Sequence, residues 1–372
     1  LTPARRASMN VITPRRPRTP CPEGPALDLR PDPFPWDPPA EWQRIASVDA
    51  HTEGEPLRVL LAGFPDLPGA SILERRQSAR MSLDHLRTAL MWEPRGHADQ
   101  YGCVLTPPVS PDADFGVVFT HNEGYSTMCG HGVIAVVHVA LTMGLLSVRE
   151  PVTHVTLDTP AGPVEASARV RDGRVEAVAF RNVPSWAELD LEVPVPGLGL
   201  VRYDLAFGGA FYAYVDAREL GLDLVPGSVA QAVEAGMAIK REVQERAGPE
   251  HPTEPELSFL YGTIFVGEAV EPGHHSRNVC VFADGEVDRS PTGTGVSGRL
   301  AIHHARGELA PGQELVIESI LGTCFTGRVV DEVVWQGRAA VVPEVEGRAW
   351  ITGRHEFFLD PSDPLRHGFL LR

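Results

Sequence analysis

The chain has 372 residues, a hydrophobic fraction of 43% and a formal net charge of −16, which predicts a globular protein large enough for two domains. The acidic balance argues against nucleic acid or an anionic membrane as a partner, and no apolar run is long enough to span a membrane. Five cysteines without a CxxC pair predict a protein of the reducing cytoplasm rather than a disulfide framework.

Residues 1–44 differ from the rest of the chain in composition. Prolines crowd the segment, and five arginines precede its first acid, Glu23. No hydrophobic period is present, so we expect a Pro/Arg-rich extension outside the catalytic core, either peripheral or disordered. A transit-like leader and an upstream remnant stay open as alternative origins.

From residue 45 onward the pattern is rich in strands. An amphipathic stretch over 71–90 predicts a helix, and the nearly all-apolar run Val133–Leu146 predicts a helix buried on every side. Asp172-Gly173, between two alternating runs, is a strong hairpin signal. The strands predicted in this half cover residues 57–61, 101–105, 116–120, 152–157, 164–170 and 174–180.

The second half repeats this theme, with a helix predicted from about 228 to 246 and another beginning at Thr292. We place the domain boundary in the Pro-rich stretch 184–196. The first domain then covers 45–185, with strands from about 345–360 as candidates to complete it, and the second covers 186–344. The strands predicted here are 201–207, 211–215, 259–266, 277–282, 314–319, 324–330, 339–345 and 349–358.

An internal repeat links the two halves. Cys129-Gly130-His131-Gly132-Val133 matches Thr292-Gly293-Thr294-Gly295-Val296 at an offset of 163 residues, and the match resumes where Gly144 falls on Gly307. Such a repeat indicates two related domains, each offering a helix N-terminus whose free amides can hold an anion such as a carboxylate.

The first position of the two predicted helix starts differs, with Cys129 in one and Thr292 in the other. A thiol at a helix start has a lowered pKa and is available as a base, whereas a threonine hydroxyl does not ionise near neutral pH. The alternative reading is an ordinary pair of glycine turns before core helices, with Thr292 as a cap and Cys129 as a buried apolar residue. Packing alone gives no reason to repeat the glycine spacing.

Five separate motifs, taken together, resemble the proline racemase superfamily, which includes hydroxyproline 2-epimerases and trans-3-hydroxy-L-proline dehydratases. The resemblance covers about residues 49–355 and implies an α/β (α+β) fold like that of diaminopimelate epimerase. That fold has two pseudo-symmetric domains, each with strands wrapped around a central buried helix, and its active site lies in the cleft between them. The motifs are residues 49–56, 93–99, 121–132, 206–212 and 288–295.

In the racemases and epimerases of this family both helix starts carry a cysteine, and Thr292 departs from that pattern. Cysteine first and threonine second is the pattern of the trans-3-hydroxy-L-proline dehydratases. The resemblance therefore implies a cofactor-independent hydro-lyase that forms Δ1-pyrroline-2-carboxylate, with Cys129 as proton acceptor and Thr292 replacing the second cysteine. A proline racemase or 4-hydroxyproline 2-epimerase remains the alternative enzyme, and a catalytically silent amino-acid-binding protein the alternative of another class.

The same resemblance implies the substrate contacts. Backbone amides at the helix starts suit the carboxylate, and the carboxylate of Asp288 suits the ring ammonium, although a turn or capping role is its structural alternative. His51 and Glu53 lie in a segment typical of a turn. The expected substrate-binding residues are Gly130, His131, Asp288, Gly293 and Thr294.

No metal or nucleotide cofactor is expected. Cys129 and His131 have the spacing of two metal ligands, but no third and fourth ligand cluster near them. No phosphate-binding glycine motif occurs either. The expected partner is a hydroxyproline-type imino acid, with no nucleic acid and no membrane, and a homodimer is an open possibility for the assembly.

Overall fold

The computed structural model describes residues 36–371. Residues 36–39 form no regular secondary structure, and a compact unit begins at Ala40. Of the extension predicted over residues 1–44, the part up to residue 35 lies outside the described residues. Its last two residues belong to the first strand, which begins at Gln43.

The first half contains seven strands and three helices. The amphipathic stretch predicted over 71–90 forms two helices rather than one, because the backbone leaves helical geometry at Leu83, which has φ −125°. The Ser71 hydroxyl caps the first of them by accepting a hydrogen bond from the amide of Glu74. The elements are β1 (Gln43–Thr52), β2 (Glu55–Ala62), α1 (Ile72–Ser82), α2 (Asp84–Met91), β3 (Gly102–Thr106), β4 (Phe115–Thr120), α3 (Gly130–Thr142), β5 (Val152–Thr159), β6 (Gly162–Arg171) and β7 (Arg174–Arg181).

The second half contains nine strands and two long helices, and a last strand follows it. All the strands predicted from the sequence are present, with ends shifted by a few residues. The elements are β8 (Trp186–Val195), β9 (Gly199–Phe207), β10 (Phe211–Asp216), α4 (Val229–Ala247), β11 (Leu260–Gly267), β12 (Ser276–Phe282), β13 (Glu286–Val287), α5 (Gly293–Ala305), β14 (Glu314–Glu318), β15 (Cys324–Trp335), β16 (Arg338–Gly347) and β17 (Ala349–Leu359).

The two halves share one topology. The first pairs its strands in the order β17-β1-β2-β3-β4-β5-β6-β7. The second pairs them in the order β8-β9-β10-β11-β12-β14-β15-β16, and β7 pairs with β16 between the halves. Along both orders the contacts run antiparallel, antiparallel, parallel, antiparallel, parallel, antiparallel, antiparallel. The predicted pair of similar α/β domains is thereby confirmed, while their residue boundaries stay a prediction.

Equivalent helices occupy the equivalent crossovers. α3 connects the parallel strands β4 and β5, and α5 connects β12, through the short β13, to its parallel neighbour β14. Residues 130–137 and 293–302 are buried along their whole length, and both helices contribute to one continuous apolar cluster. The predicted burial is confirmed for most of the first helix, whereas the last residues of the predicted run Val133–Leu146 differ: the helix ends at Thr142, and Met143 and Leu145 are exposed. None of the helices in residues 36–371 is long and apolar enough to cross a membrane.

The Pro-rich stretch 184–196, in which we place the domain boundary, forms strand β8 over Trp186–Val195. This strand pairs antiparallel with β9 along one of its edges, and Pro194 lies within it opposite Leu200. A proline has no amide hydrogen to give to a sheet, so it is tolerated where a strand lies at the sheet's margin. Pro194 therefore lies in a strand at the margin of the sheet.

The N-termini of α3 and α5 meet backbone to backbone. A Cβ atom built on Gly130 would lie 2.6 Å from the Cα of Gly293, and one built on Gly293 would lie 2.7 Å from the Cα of Gly130. Both would also crowd the ring of Phe180, at 2.9 and 3.2 Å. Only glycine fits at these two positions, which explains why the internal repeat keeps them.

We expect Gly293→Ala to lower the melting temperature, because the added methyl group must push the two helix starts apart at an overpacking cost of about 1–3 kcal/mol. Gly227→Ala is the matched control, since a Cβ at Gly227 meets nothing within 4 Å. Thermal unfolding of both variants beside the parent measures the effect. Equal melting temperatures for Gly293→Ala and the parent would show that the helix starts are not tightly apposed.

Candidate active site

A cavity of about 260 Å³, its mouth included, lies where the two helix starts meet. It collects every residue that the sequence singled out for the site, although those residues come from two segments more than 150 positions apart in the chain. Their chemical roles stay predictions. The site residues in its wall are Cys129, Gly130, His131, Asp288, Thr292, Gly293 and Thr294, and the other lining residues are Tyr101, Met128, Tyr212, Tyr261 and Phe282.

Cys129 is the N-cap residue of α3, directly before the first helical residue. Its extended backbone, with φ −143°, turns the side chain back over the helix start. Its sulfur accepts a hydrogen bond from the amide of Gly132 at 3.2 Å, and Nδ1 of His131 lies 3.3 Å from it. The residue is only 4% exposed, so the sulfur faces the cavity from a nearly dry environment.

Burial raises the pKa of the Cys129 thiol well above its ordinary value. The amide of Gly132 and the hydroxyl of Tyr101 act in the opposite direction, whereas the carboxyl groups of Asp288 and Glu55 raise the pKa further. The lowered pKa expected at a helix start is therefore wrong for this buried thiol. Loss of water around the sulfur outweighs the favourable field of the helix N-terminus.

Thr292 is the N-cap residue of α5, but its backbone is unlike that of Cys129. Its φ of +67° lies in the left-handed region, which a β-branched residue rarely adopts. Its buried hydroxyl caps no amide and has no hydrogen-bond partner among residues 36–371. The buried thiol of Cys280 lies beside this hydroxyl, without a hydrogen bond that meets geometric criteria. The hydroxyl nevertheless opposes the rise in pKa that burial imposes on the Cys280 thiol. The strained backbone thus presents an unsatisfied hydroxyl at the cavity wall.

His131 is a buried neutral histidine in the first turn of α3. Burial lowers its pKa, and the negative charge of Asp288 opposes that shift. The hydroxyl of Thr52 donates to its backbone carbonyl at 2.8 Å. The ring packs edge-on against Tyr101 with centroids 4.7 Å apart, which fixes it beside the sulfur of Cys129.

Asp288 supplies the acidic side chain of the cavity wall. Its Oδ1 accepts from the amide of Ser290 at 2.7 Å, and its own amide donates to the carbonyl of Cys280 at 3.0 Å. The residue is 3% exposed. The side chain therefore stabilises a turn, which is the structural alternative, and also lines the cavity, while its contact with a substrate stays a prediction.

Tyrosines form the part of the site that the motifs did not identify. The hydroxyl of Tyr212 lies 2.8 Å from that of Thr294, and the hydroxyl of Tyr101 lies 2.5 Å from that of Ser126 and 3.3 Å from that of Tyr261. Tyr212 ends the motif over 206–212 and could have been found there. Tyr101 directly precedes β3 and Tyr261 lies in β11, both outside any glycine motif, and only the fold brings them to the cavity.

The arrangement suits a small zwitterion with an acidic C–H bond. The first amides of both helices lack intrahelical acceptors and point at one place, which favours an anion such as a carboxylate. Asp288 offers a negative charge for a cation, and Cys129 offers a group that can exchange a proton. Within residues 36–371 no group of three or more His, Cys, Asp or Glu side chains is arranged to hold a metal ion.

The chain is similar to proteins of one family over most of its length. The family model described as proline racemase matches residues 47–370. A trans-3-hydroxy-L-proline dehydratase of Colwellia psychrerythraea is 47% identical over 91% of this chain and 96% of its own length. A 3-hydroxyproline 2-epimerase of Burkholderia multivorans is 46% identical over 88% of this chain and 98% of its own length.

The fold likeness extends to solved structures. A hydroxyproline epimerase from Agrobacterium vitis, solved with bound trans-4-hydroxy-L-proline, superposes with a TM-score of 0.84 and 36% identity. The superposition covers 88% of this chain and 96% of that one. This likeness confirms the fold expected from the sequence motifs.

We expect Asp288→Asn to lower the pKa of the Cys129 thiol, because removing a negative charge near the sulfur favours the thiolate. The pH dependence of iodoacetamide labelling, read on the Cys129 peptide by mass spectrometry, measures the shift. Asp99→Asn is the control, since that carboxylate binds Arg289 at 2.7 Å away from the cavity wall. A profile that stays in place, or moves to higher pH, would contradict this electrostatic picture of the site.

Proposed function

The chain belongs to the proline racemase family, and within it we propose that it acts as a trans-3-hydroxy-L-proline dehydratase. One observation carries the proposal. Two opposed helix starts face one cavity, and only that of α3 bears an ionisable side chain, the thiol of Cys129. A single base that works on one face of the substrate suits an elimination better than an inversion.

The stereochemistry of the substrate fits a single base. In trans-3-hydroxy-L-proline the carboxylate and the hydroxyl lie on opposite faces of the ring, so the α-hydrogen and the hydroxyl share a face. The thiolate of Cys129 removes the α-proton and returns it to the departing hydroxyl, which leaves as water. The resulting enamine tautomerises to Δ1-pyrroline-2-carboxylate without a second enzymatic base.

Charge balance makes the thiolate available when substrate is bound. Burial and the nearby carboxyl groups raise the pKa of the thiol and so favour its protonated form. The ring ammonium, held by Asp288, brings a positive charge into that environment and lowers the cost of a thiolate. The substrate carboxylate, which gains charge as the α-carbanion forms, is held by the amides of Gly130, Gly293 and Thr294. Deprotonation is thereby linked to occupancy.

On the second face the helix cap that lines the cavity is Thr292, and the thiol of Cys280 beside it does not reach the cavity wall. The Thr292 hydroxyl is too weak an acid or base to exchange the α-proton at a useful rate. A proline racemase or 4-hydroxyproline 2-epimerase would need some other donor there, such as water. The 46% identity to a named epimerase keeps isomerisation as the second candidate.

A panel of proline and hydroxyproline isomers in deuterated solvent tests the proposal. We expect trans-3-hydroxy-L-proline to yield the cyclic imine, and 4-hydroxyproline and proline to show no inversion. Efficient inversion of any isomer by the parent protein would replace the lyase with the isomerase. Binding without either loss of water or exchange at Cα would indicate a silent binding protein.

We expect Cys129→Ser to reduce dehydration by a factor of about 10² or more, because a serine hydroxyl stays protonated at neutral pH and cannot act as the base. Cys324→Ser is the matched control, since Cys324 is partly exposed and lies outside the cavity wall. Imine formation by both variants, with thermal unfolding to verify the fold, measures the effect. Parental turnover by Cys129→Ser would remove Cys129 as the base.

We expect Thr292→Cys to gain inversion of proline or 4-hydroxyproline, because it places a second thiol opposite Cys129 across the cavity. Thr292→Ser is the control, since it keeps a hydroxyl and should gain no inversion. Polarimetry combined with deuterium incorporation at Cα measures the activity. If both variants and the parent invert alike, Thr292 does not decide between elimination and inversion.

A further inference from the structure

The turn between β1 and β2 reaches across to the second half of the molecule. Glu53 and Gly54 form it, with φ values of +48° and +108°. A Cβ on Gly54 would lie 2.8 Å from Cδ1 of Leu321 and 3.3 Å from Cβ of Arg289. The first residue of β2, Glu55, follows directly, and its Oε2 accepts a hydrogen bond from the backbone amide of Arg289 at 2.7 Å.

Glu55 is a buried carboxyl group that forms no salt bridge. Its exposure is 0%, its Oε1 has no hydrogen-bond partner, and no ion pair to it is found within residues 36–371. The guanidinium of Arg289 binds Asp99 at 2.7 Å and the carbonyl of Val287 at 2.9 Å, so its positive charge acts on Glu55 without direct contact. The other groups that face Glu55 are the acids Asp288 and Glu286 and the thiols of Cys129 and Cys280.

These surroundings favour the neutral acid. A carboxylate out of water is costly unless a cation or several donors compensate it, and Glu55 has a single amide donor. Its burial raises its pKa well above the ordinary value, and the neighbouring Asp288 raises it further, while the charge and the backbone amide of Arg289 oppose this rise without reversing it. Because Oε1 of Glu55 accepts no hydrogen bond, it is the oxygen that can carry the proton of the neutral acid.

We propose that Glu55 is protonated in the closed enzyme and that, in this neutral form, it positions the turn of Asp288, Arg289 and Ser290 over the Cys129 thiol. The inference rests on the proposed role of Asp288 as the partner of the substrate ammonium. Glu55 fixes the amide after Asp288, and the Ser290 amide fixes the Asp288 carboxylate itself. Glu55, in the first half, thus orients the carboxylate of Asp288, in the second half.

The neutral form of Glu55 matters because the thiol of Cys129 and the carboxyl group of Asp288 lie nearby. An ionised Glu55 would disfavour the thiolate of Cys129 and would compete with Asp288 for the substrate cation. A protonated Glu55 keeps the hydrogen bond to Arg289 without either effect. The carboxylate of Asp288 then remains the one that faces the cavity.

Glu55→Gln and Glu55→Ala separate charge from position. Gln has the shape and charge of the neutral acid, so we expect its kcat/KM to stay within about twofold of the parent and the rise of kcat/KM with pH to stay in place. Glu55→Ala leaves the partly buried backbone amide of Arg289 without an acceptor, so we expect KM to rise about tenfold. The pH at which kcat/KM rises should stay the same as in the parent. Glu53→Gln, in the same turn, is the control and should match the parent.

Infrared difference spectroscopy reads the proton directly. We expect a protonated-carboxyl C=O band in the parent at neutral pH that is absent from Glu55→Gln. If the parent lacks this band, or if the pH profile of Glu55→Gln shifts to lower pH, Glu55 is ionised and the inference is overturned. A KM of Glu55→Ala equal to that of the parent would also overturn it, because Glu55 would then not position Asp288. A parent that turns over no substrate would defeat the proposed function while leaving the infrared test intact.

Discussion

The contact between two helix N-termini is the constraint on which the rest of the structure depends. Gly130 and Gly293 approach so closely that neither position can hold a Cβ atom, and Phe180 packs against both. Two sets of free amides and two helix dipoles are thereby aimed at one point. The cap residues before them, Cys129 and Thr292, consequently stand on either side of whatever binds there. The repeated fold exists on both sides of this contact, since each helix needs its own layer of strands to bury it.

Burial of the site reverses the usual argument about a thiol at a helix start. The N-terminal field favours the thiolate, but loss of hydration disfavours any isolated charge more strongly. The cavity therefore favours a neutral thiol beside a neutral histidine, His131. The proposed substrate carries a positive charge, which would shift this balance toward the thiolate.

Residues far from the helix starts in sequence complete the site by crossing from one half to the other. The β1–β2 turn places Glu55 on the Arg289 amide, and Asp99 binds the guanidinium of the same arginine. Glu53, in that turn, accepts from the amide of Arg348, and Thr323 donates to its carbonyl at 2.6 Å. The turn read from the composition of residues 52–56 is confirmed only at Glu53 and Gly54, since the residues on either side belong to β1 and β2. Glu55 contacts the second half at Arg289, and the carbonyl of Glu53 contacts it at Thr323.

The sequence by itself determined the repeated helix starts and the strand pattern, because glycine spacing and hydrophobic period are local signals. It also distinguished Cys129 from Thr292, since that difference is chemical. The other expected site residues came from the resemblance to a family and line the same cavity. Only the tertiary structure decided the environment of the Cys129 thiol, the strained backbone of Thr292 and the inclusion of Tyr101, because each depends on what distant segments exclude or supply. The tertiary structure likewise decided that the Pro-rich stretch 184–196 forms strand β8. A proline is compatible with a strand when the sheet ends beside it, and no local pattern tells where a sheet ends.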